Sequence, residues 1–484
     1  MNSPIKNKKE KVVLAVDLDG SLINTDLLHE SVIKLVFTKP WLIAFLPFWL
    51  LSGKAYLKQQ LDKAVTLDTE HLPWNLELIQ YLETEKKAGR TIVLCTGSWQ
   101  SLADKIASRF SFFTAAYGSS SEINLTGSDK ANFLIEHYGE KNFSYVGNES
   151  LDVKIWQHAK SAVVVNASST LIDKASAVCT VEKVISSDQS LSIRSILKQI
   201  RIHQWVKNAL IFVPLITSHQ LSDAGLFINA TIAFIAYGLC ASATYIINDL
   251  ADLTSDRKSD KKKNRPLACG KITIPQGIII SAILLLSSLT VAAQLNVWFL
   301  FSLLTYIAVT LSYSFKLKRL QSLDITILAS LFTLRIISGA LAVEILPSFW
   351  LLAFSMFIFL CLALIKRLSE VINNQEKYSK ETKLSGRGYY IGDFQVLMSL
   401  ATASGMLSVL VFAMYINSPE TILLYSEPYA LWLLCPLFAY WIIRIIIMAS
   451  RGEVDEDPIL FAIKDSRSWV TGILILLIIF TSSV

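Results

Sequence analysis

From residue 206 onward, apolar residues run in long blocks separated by short polar stretches. Nine apolar segments are predicted, at 206–221, 226–248, 275–294, 297–313, 323–345, 349–366, 395–417, 428–448 and 468–484. Crossing a bilayer as a helix takes about 20 apolar residues, and most of these blocks come near that length; the first is short. Before residue 185 the pattern differs. Short apolar runs at 12–20 (VVLAVDLDG), 91–98 (TIVLCTGS), 143–150 (FSYVGNES) and 161–168 (SAVVVNAS) alternate with helical periodicity, as in SLADKIASRF and SDKANFLIEHYG. That alternation predicts a parallel sheet with helices on both faces. One stretch departs from it: 32–53, VIKLVFTKPWLIAFLPFWLLSG, is as apolar as a span but is interrupted by Pro40 and Pro47. It reads as an apolar helical piece lying against a membrane. Residues 186–192 read as a linker, and 193–205 as a basic amphipathic stretch suited to the membrane surface. The expected organisation is an α/β domain at 1–185, a linker and interfacial helix at 186–205, and an all-α membrane domain at 206–484.

Charge adds an orientation. Loops 250–271, 314–322, 367–394 and 449–467 are rich in Lys and Arg, whereas 222–225, 295–296, 346–348 and 418–427 contain neither. The positive-inside rule then puts the first set on the cytoplasmic side of a bacterial-type inner membrane. With an odd number of spans, the α/β domain is expected in the cytoplasm and Val484 outside. Hydrophobic residues make up 52% and charged residues 17% of the chain, a balance that excludes an ordinary soluble enzyme. Six cysteines without a CxxC pair argue against a zinc ribbon or a disulfide framework. The first residues, MNSPIKNKKEK, do not read as a secretory signal. No nucleic-acid partner and no protein partner is expected; the partners are the membrane and its lipids.

The chemistry concentrates where the second apolar block meets a basic loop, in YIINDLADLTSDRKSDKKKNRPLACGK (245–271). On a continuous helix Asp249, Asp252 and Asp256 fall at i, i+3 and i+7, on one face together with Tyr245. Three carboxylates so close repel one another unless a hard divalent cation lies among them, and Mg²⁺ suits few protein oxygens plus substrate phosphates. Asn248 adds a neutral amide. Lys261, Lys262, Lys263 and Arg265 follow as partners for phosphate oxygens. Without further context the acids read equally as the hydrated start of a loop, with the lysines as topology signals.

These residues resemble the first aspartate-rich motif, NDxxDxxxD, of the UbiA prenyltransferase superfamily. HQWVKNALIFVPL (203–215), YSFKLKRLQSLD (313–324), LFTLRIISGALA (331–342), LIKRLSEV (364–371) and SGRGY (385–389) extend the resemblance over about 195–470, to the decaprenyl-phosphate phosphoribosyltransferase-like branch. The resemblance implies nine helices around a lipid-open cavity, with Mg²⁺ and a diphosphate at its cytoplasmic mouth. One departure selects the branch: the second DxxxD motif of aromatic prenyltransferases is reduced to Asp324, with Leu328 four residues on. The implied reaction is transfer of 5-phosphoribose from phosphoribosyl diphosphate to a polyprenyl phosphate, a step of cell-envelope biosynthesis; prenyl transfer from a prenyl diphosphate is the alternative. Lys207, Arg265, Lys316, Lys318, Arg335, Lys366, Arg367 and Arg387 are candidate phosphate ligands, and Asn208, Tyr313 and Asp324 complete the candidate substrate set. Arg335 stands out because it interrupts an apolar span. His203 and His219 are isolated and read as interfacial.

In the α/β domain, VVLAVDLDGSLINT places Asp17 and Asp19 directly after an apolar strand. This resembles the DxDG[TS] motif of the haloacid dehalogenase superfamily, with Thr96, Lys130 and GNESLD (147–152) following in order. The resemblance implies Asp17 as nucleophile, Asp19 as general acid/base, and Thr96 and Lys130 on phosphoryl oxygens, with Mg²⁺ held by Asp17, Asp19, Asn148 and Asp152. Residues 25–85 are then the substrate-selecting cap. The usual GDxxxD reads Gly147-Asn148-Glu149-Ser150-Leu151-Asp152, one negative charge short, so an active phosphatase and a structural domain both remain open. A P-type pump is disfavoured, since its phosphatase-like domain is inserted between spans and carries DKTG.

Overall fold

The computed structural model describes residues 12–186, 192–375, 379–384, 386–454 and 457–483. The linker expected at 186–192 lies largely outside the described residues, as does Ser385 of SGRGY. The chain packs into two compact units, Met1–Ile200 with Asp249–Ile280, and Arg201–Asn248 with Ser281–Val484. The stretch after the aspartate-rich motif, expected within the membrane half, thus packs with the α/β unit.

The first unit is built on a six-stranded parallel sheet of order β3-β2-β1-β4-β5-β6. The strands are β1 (Val13–Val16), β2 (Ile92–Trp99), β3 (Phe113–Ser119), β4 (Phe143–Gly147), β5 (Ser161–Val165) and β6 (Thr180–Ile185). Alternate side chains feed two separate apolar layers, as the pleat requires. Leu14, Val16, Ile92, Leu94 and Val146 enter one layer; Ala15, Val93, Phe143, Tyr145 and Val164 enter the other. The sequence pattern reveals the four inner strands because they are buried on both faces. It misses β3 and β6, the two edges, which carry exposed and polar positions; β6 reads TVEKVI. Strand order reverses between β1 and β4, so Asp17 and Asp19 leave β1 at the switch point, where open α/β sheets bind ligands.

Between β1 and β2 lies the helical insert expected at 25–85. Its first helix, Leu27–Thr38, is capped by Asp26, whose carboxylate accepts from Leu28 N and His29 N at 2.7 and 3.2 Å. The apolar stretch that follows does not form a span. It breaks at Lys39 into a 3₁₀ turn, Pro40–Phe45, and a short helix, Leu46–Leu51. Trp41, Phe48 and Leu51 stay 67%, 67% and 85% exposed and form an apolar surface.

In the second unit the nine expected segments become, among the described residues, seven helices long and apolar enough to cross a membrane: Ala224–Ala251, Ile274–Ala292, Val297–Phe315, Leu323–Ala342, Phe349–Gln375, Ile391–Ile416 and Pro428–Ser450, the first two shared with the other unit. The segment expected at 206–221 is instead a 3₁₀ helix, Ile202–Phe212, followed by Val213–Thr217 with Pro214 at its start. It buries Lys207 and Asn208, which an apolar span would not carry. The last segment is a shorter apolar helix, from Ser466. Gly339 lets Leu323–Ala342 press on the 3₁₀ segment: a Cβ there would lie 2.1 Å from Ile211 O.

Candidate active sites

Asp249 and Asp256 converge, though by a route different from the expected continuous helix. The helix ends at Ala251, Asp252 turns the chain (φ −97°, ψ 11°), and a new helix, Leu253–Lys258, begins. Across that break Asp249 and Asp256, both nearly inaccessible, meet one guanidinium. Arg265 Nη1 lies 3.1 Å from Asp249 Oδ1 and 2.6 Å from Asp256 Oδ2. Gln199 Nε2 donates to the other Asp249 oxygen at 2.8 Å, and Gln199 Oε1 accepts from Leu267 N at 3.3 Å. Burial pushes the Asp256 carboxyl above its ordinary value, with Asp249 adding and Arg265 opposing. Among the described residues the three acids do not form a triad with ligand atoms all within 4.8 Å of one another; Asp252 is half-buried. Arg265, expected to face phosphate, is here the counter-cation of the pair. The donors are all oxygens and already gather round one positive charge, so the set suits a hard cation such as Mg²⁺. Lys262 is half-buried nearby in sequence.

The second unit holds two polar clusters inside an apolar surround. In one, Arg335 donates to Asn208 Oδ1 at 3.0 Å, Tyr306 Oη at 3.0 Å and Leu331 O at 2.5 Å, and stacks over Tyr306 and Phe332. Among the described residues Arg335 has no carboxylate partner, so its charge rests on neutral acceptors and rings. Asn208 Nδ2 is buried without a hydrogen-bond partner. Beside it in sequence, Lys207 pairs with Asp457. Burial raises the Asp457 carboxyl, but Lys207 and Lys366 outweigh it and hold the group below its ordinary value.

In the other cluster the lone Asp324 is sealed. Arg367 grips it at 2.5 and 3.0 Å, Tyr313 Oη donates to it at 2.8 Å, and Arg387 Nη1 stands 3.7 Å away. Arg367 also pairs with Glu370 at 2.5 Å, which Arg387 approaches at 3.5 Å. Asp324 and Arg367 are inaccessible, so Arg367 is an internal tie rather than an open phosphate ligand; Arg387 keeps an accessible edge. Lys316 is exposed and Lys318 half-buried at the turn before Asp324. Tyr245 lies under the Arg201 guanidinium, 5.2 Å from it, and Asn248 is half-buried on the same helix.

In the α/β unit, Asp17 receives Lys130 Nζ at 2.6 Å, and Lys130 also donates to Tyr145 Oη at 2.9 Å. Burial works against the lysine charge, but Asp17 outweighs it and the Lys130 pKa rises. Asp19 accepts from Leu27 N at 2.9 Å and Ser98 Oγ at 2.7 Å. Burial, then Asp26 and Asp17, push its pKa up to about 7, the range of an acid/base group at neutral pH. Thr96 is fully buried and its hydroxyl accepts from Ser98 N at 3.0 Å. Asp152 shapes the last loop: one oxygen accepts from both Asn148 N and Glu149 N at 2.9 Å. Asn148 Oδ1 accepts from Ser21 Oγ at 3.0 Å. The donors are again all oxygens, and Mg²⁺ fits their chemistry.

Five contributors escaped sequence reading: Gln199, Glu370, Asp457, Ser98 and Lys58. Lys58 comes from the insert and donates to Gly97 O at 2.5 Å and Asn124 Oδ1 at 2.8 Å. Their only signal was their own polarity.

The molecule is an integral membrane protein whose helical half follows a Rossmann-like α/β unit. The chain belongs to the UbiA prenyltransferase family, whose model matches residues 209–479, more than half of it. It is similar to the uncharacterised protein y4nM of Sinorhizobium fredii, 35% identical over 467 residues, 96% of this chain and 90% of that one. It is also similar to the decaprenyl-phosphate phosphoribosyltransferase of Mycolicibacterium smegmatis, 33% identical over 183 residues, 37% of this chain and 58% of that one. The crystal structure of apo phosphoserine phosphatase matches at 17% identity and a TM-score of 0.27, over 39% of this chain and 98% of that one.

Proposed function

We propose that this protein transfers 5-phosphoribose from phosphoribosyl diphosphate to a polyprenyl phosphate at the cytoplasmic face of the inner membrane, and that its α/β unit is a phosphatase removing the 5-phosphate. The observation that carries the transferase reading is the sealing of Asp324 by Arg367. With that carboxylate committed, the Asp249–Asp256 motif is left as the cation-binding one, in contrast to a prenyl diphosphate site built from two aspartate motifs. The similarity to decaprenyl-phosphate phosphoribosyltransferase points the same way.

In the reaction, an oxygen of the lipid phosphate forms the bond to ribose C1 as the C1–O bond to diphosphate breaks. The acceptor is already anionic, so no strong base is needed. Mg²⁺, when bound, would neutralise the departing diphosphate. Asp249, Asp252 and Asp256 would hold it, and Lys262 and Arg265 would meet phosphate oxygens. Arg335, Asn208 and Lys207 offer positive charge and an orphaned amide donor to a second phosphate. In the phosphatase reading Asp17 attacks phosphorus and Asp19 protonates the departing sugar oxygen, then deprotonates the water that hydrolyses the phosphoaspartate.

The test is a membrane preparation given labelled phosphoribosyl diphosphate, polyprenyl phosphate and Mg²⁺. Label should enter lipid in the wild type and not in Asp249→Asn. If only a prenyl diphosphate with an aromatic acceptor gives product, the donor assignment is wrong. Free phosphate from the lipid product, lost in Asp17→Asn, tests the second step.

A further inference from the structure

A cavity of about 910 Å³ in the α/β unit opens beside Asp19 and Asn148 at the carboxyl end of β1. One wall is not made by the α/β fold. It comes from Gly270–Gln276, the end of the loop that begins with the aspartate-rich motif and leads into the span Ile274–Ala292. This wall is fastened in place. Arg257 forms a buried pair with Glu30 at 2.6 and 3.2 Å and donates to Ala268 O at 3.0 Å. Lys258 pairs with Asp68 at 2.8 Å. Gly270, at φ +81°, passes so close that a Cβ would stand 2.1 Å from Asn24 O. Asp19, Asp26 and Glu149 also line the cavity, and Lys271 is the cation of the fastened wall.

We infer that Gly270–Gln276 is the specificity wall of the phosphatase pocket, and that Lys271 recognises a second anionic phosphoester on a phosphosugar substrate. The reasoning is electrostatic and steric. The cavity far exceeds one phosphate group and falls in the size range of small-molecule sites. Its acids disfavour a further anion beside them, and Lys271 adds positive charge to the lining. Its neutral polar groups, Asn24, Thr25 and Asn166 among them, suit sugar hydroxyls. A substrate with one phosphate at the Asp17–Asp19 loop and a phosphodiester on its sugar beside Lys271 suits this lining. The inference rests on the phosphatase reading and deepens it by naming the substrate class.

The experiment compares ribose 5-phosphate with its 1-(farnesyl phosphate) diester, using the full-length protein in an Asp249→Asn background. Release of phosphate should favour the diester by about tenfold or more in kcat/KM. Lys271→Ala should erase about tenfold of that preference, and Lys271→Arg should restore most of it. Gly270→Val, which forces the wall off Asn24, should lower the preference as well. Equal losses on both substrates, or an unchanged ratio, would overturn the specificity wall. Equilibrium binding of the diester to the Asp17→Asn protein is the second readout, and Lys271→Ala should weaken it about tenfold. Absence of turnover with intact, Lys271-dependent binding would sink the phosphatase reading and keep the wall; turnover with Lys271-independent binding would do the reverse.

Discussion

Arg367 holds Asp324 through two hydrogen bonds, at 2.5 and 3.0 Å, with neither side chain accessible to solvent. Removing one partner of such a pair leaves an uncompensated buried charge, which typically costs about 3–5 kcal/mol. Asp324→Asn is therefore expected to lower the melting temperature of the detergent-solubilised protein by several degrees. Arg367→Lys should do nearly as much, because an ammonium cannot make the two-point contact. Glu370 still faces Arg367, so the loss should sit at the low end of the range. Melting followed by intrinsic fluorescence checks it, and an unchanged midpoint would count against Asp324 as a structural tie.

Gly339 governs the Arg335 cluster at one remove. Its missing side chain lets Leu323–Ala342, which carries Arg335, touch the backbone of the segment that carries Lys207 and Asn208. Gly339→Ala puts a methyl group where Ile211 O stands and must part the two elements. The Arg335–Asn208 bond at 3.0 Å should then be lost. Transfer activity is expected to fall at least tenfold through a raised KM for the lipid phosphate, with kcat less affected. Equal kcat and KM in variant and wild type would contradict this packing argument.

Much of this was legible in the sequence because burial leaves a pattern. The inner strands show as apolar runs, the spans as long apolar blocks, and Asp17, Asp19 and Asp249 as acids at their ends. What stayed hidden depends on tertiary partners. Asp324 reads as an open ligand until Arg367 is found 43 residues later in the chain. Arg265 reads as a phosphate ligand until the break at Asp252 turns Asp249 and Asp256 toward it. The 206–221 block has the composition of a span, and the burial of Lys207 and Asn208 in a 3₁₀ segment shows only in the fold. Gln199 and Asp457 were invisible for the same reason: single polar residues gain meaning from what they face.

Arg265 keeps two buried carboxylates from confronting each other, and its removal should make the protein depend on a metal to do so. Arg265→Gln is expected to melt lower than wild type in EDTA. Added Mg²⁺ should recover much of the difference, because a ligand that binds only the folded state stabilises it in proportion to the logarithm of its concentration over Kd. The wild-type response should be smaller, since the cation must displace the guanidinium. Melting curves across a Mg²⁺ titration decide the matter. A variant indifferent to Mg²⁺ would argue against a cation site at Asp249 and Asp256.

Glu182 ties edge strand β6 to the rest of the α/β unit. It accepts from Arg90 at 2.7 and 3.2 Å, from Ser161 Oγ at 2.9 Å and from Tyr81 Oη at 2.9 Å. Burial alone would raise its pKa, but the hydrogen bonds and charge of Arg90 outweigh it and hold the carboxyl below its ordinary value of 4.5. The folded state thus favours the ionised form. The stabilisation is complete above about pH 5, shrinks as pH falls through 4.5, and is gone once the folded group itself is protonated. Glu182→Gln removes this linkage. Its melting temperature should lie below wild type at pH 7, and the gap should close progressively as the pH falls below about 5. A gap that stays constant over that range would mean that Glu182 acts through packing alone and that its charge contributes nothing.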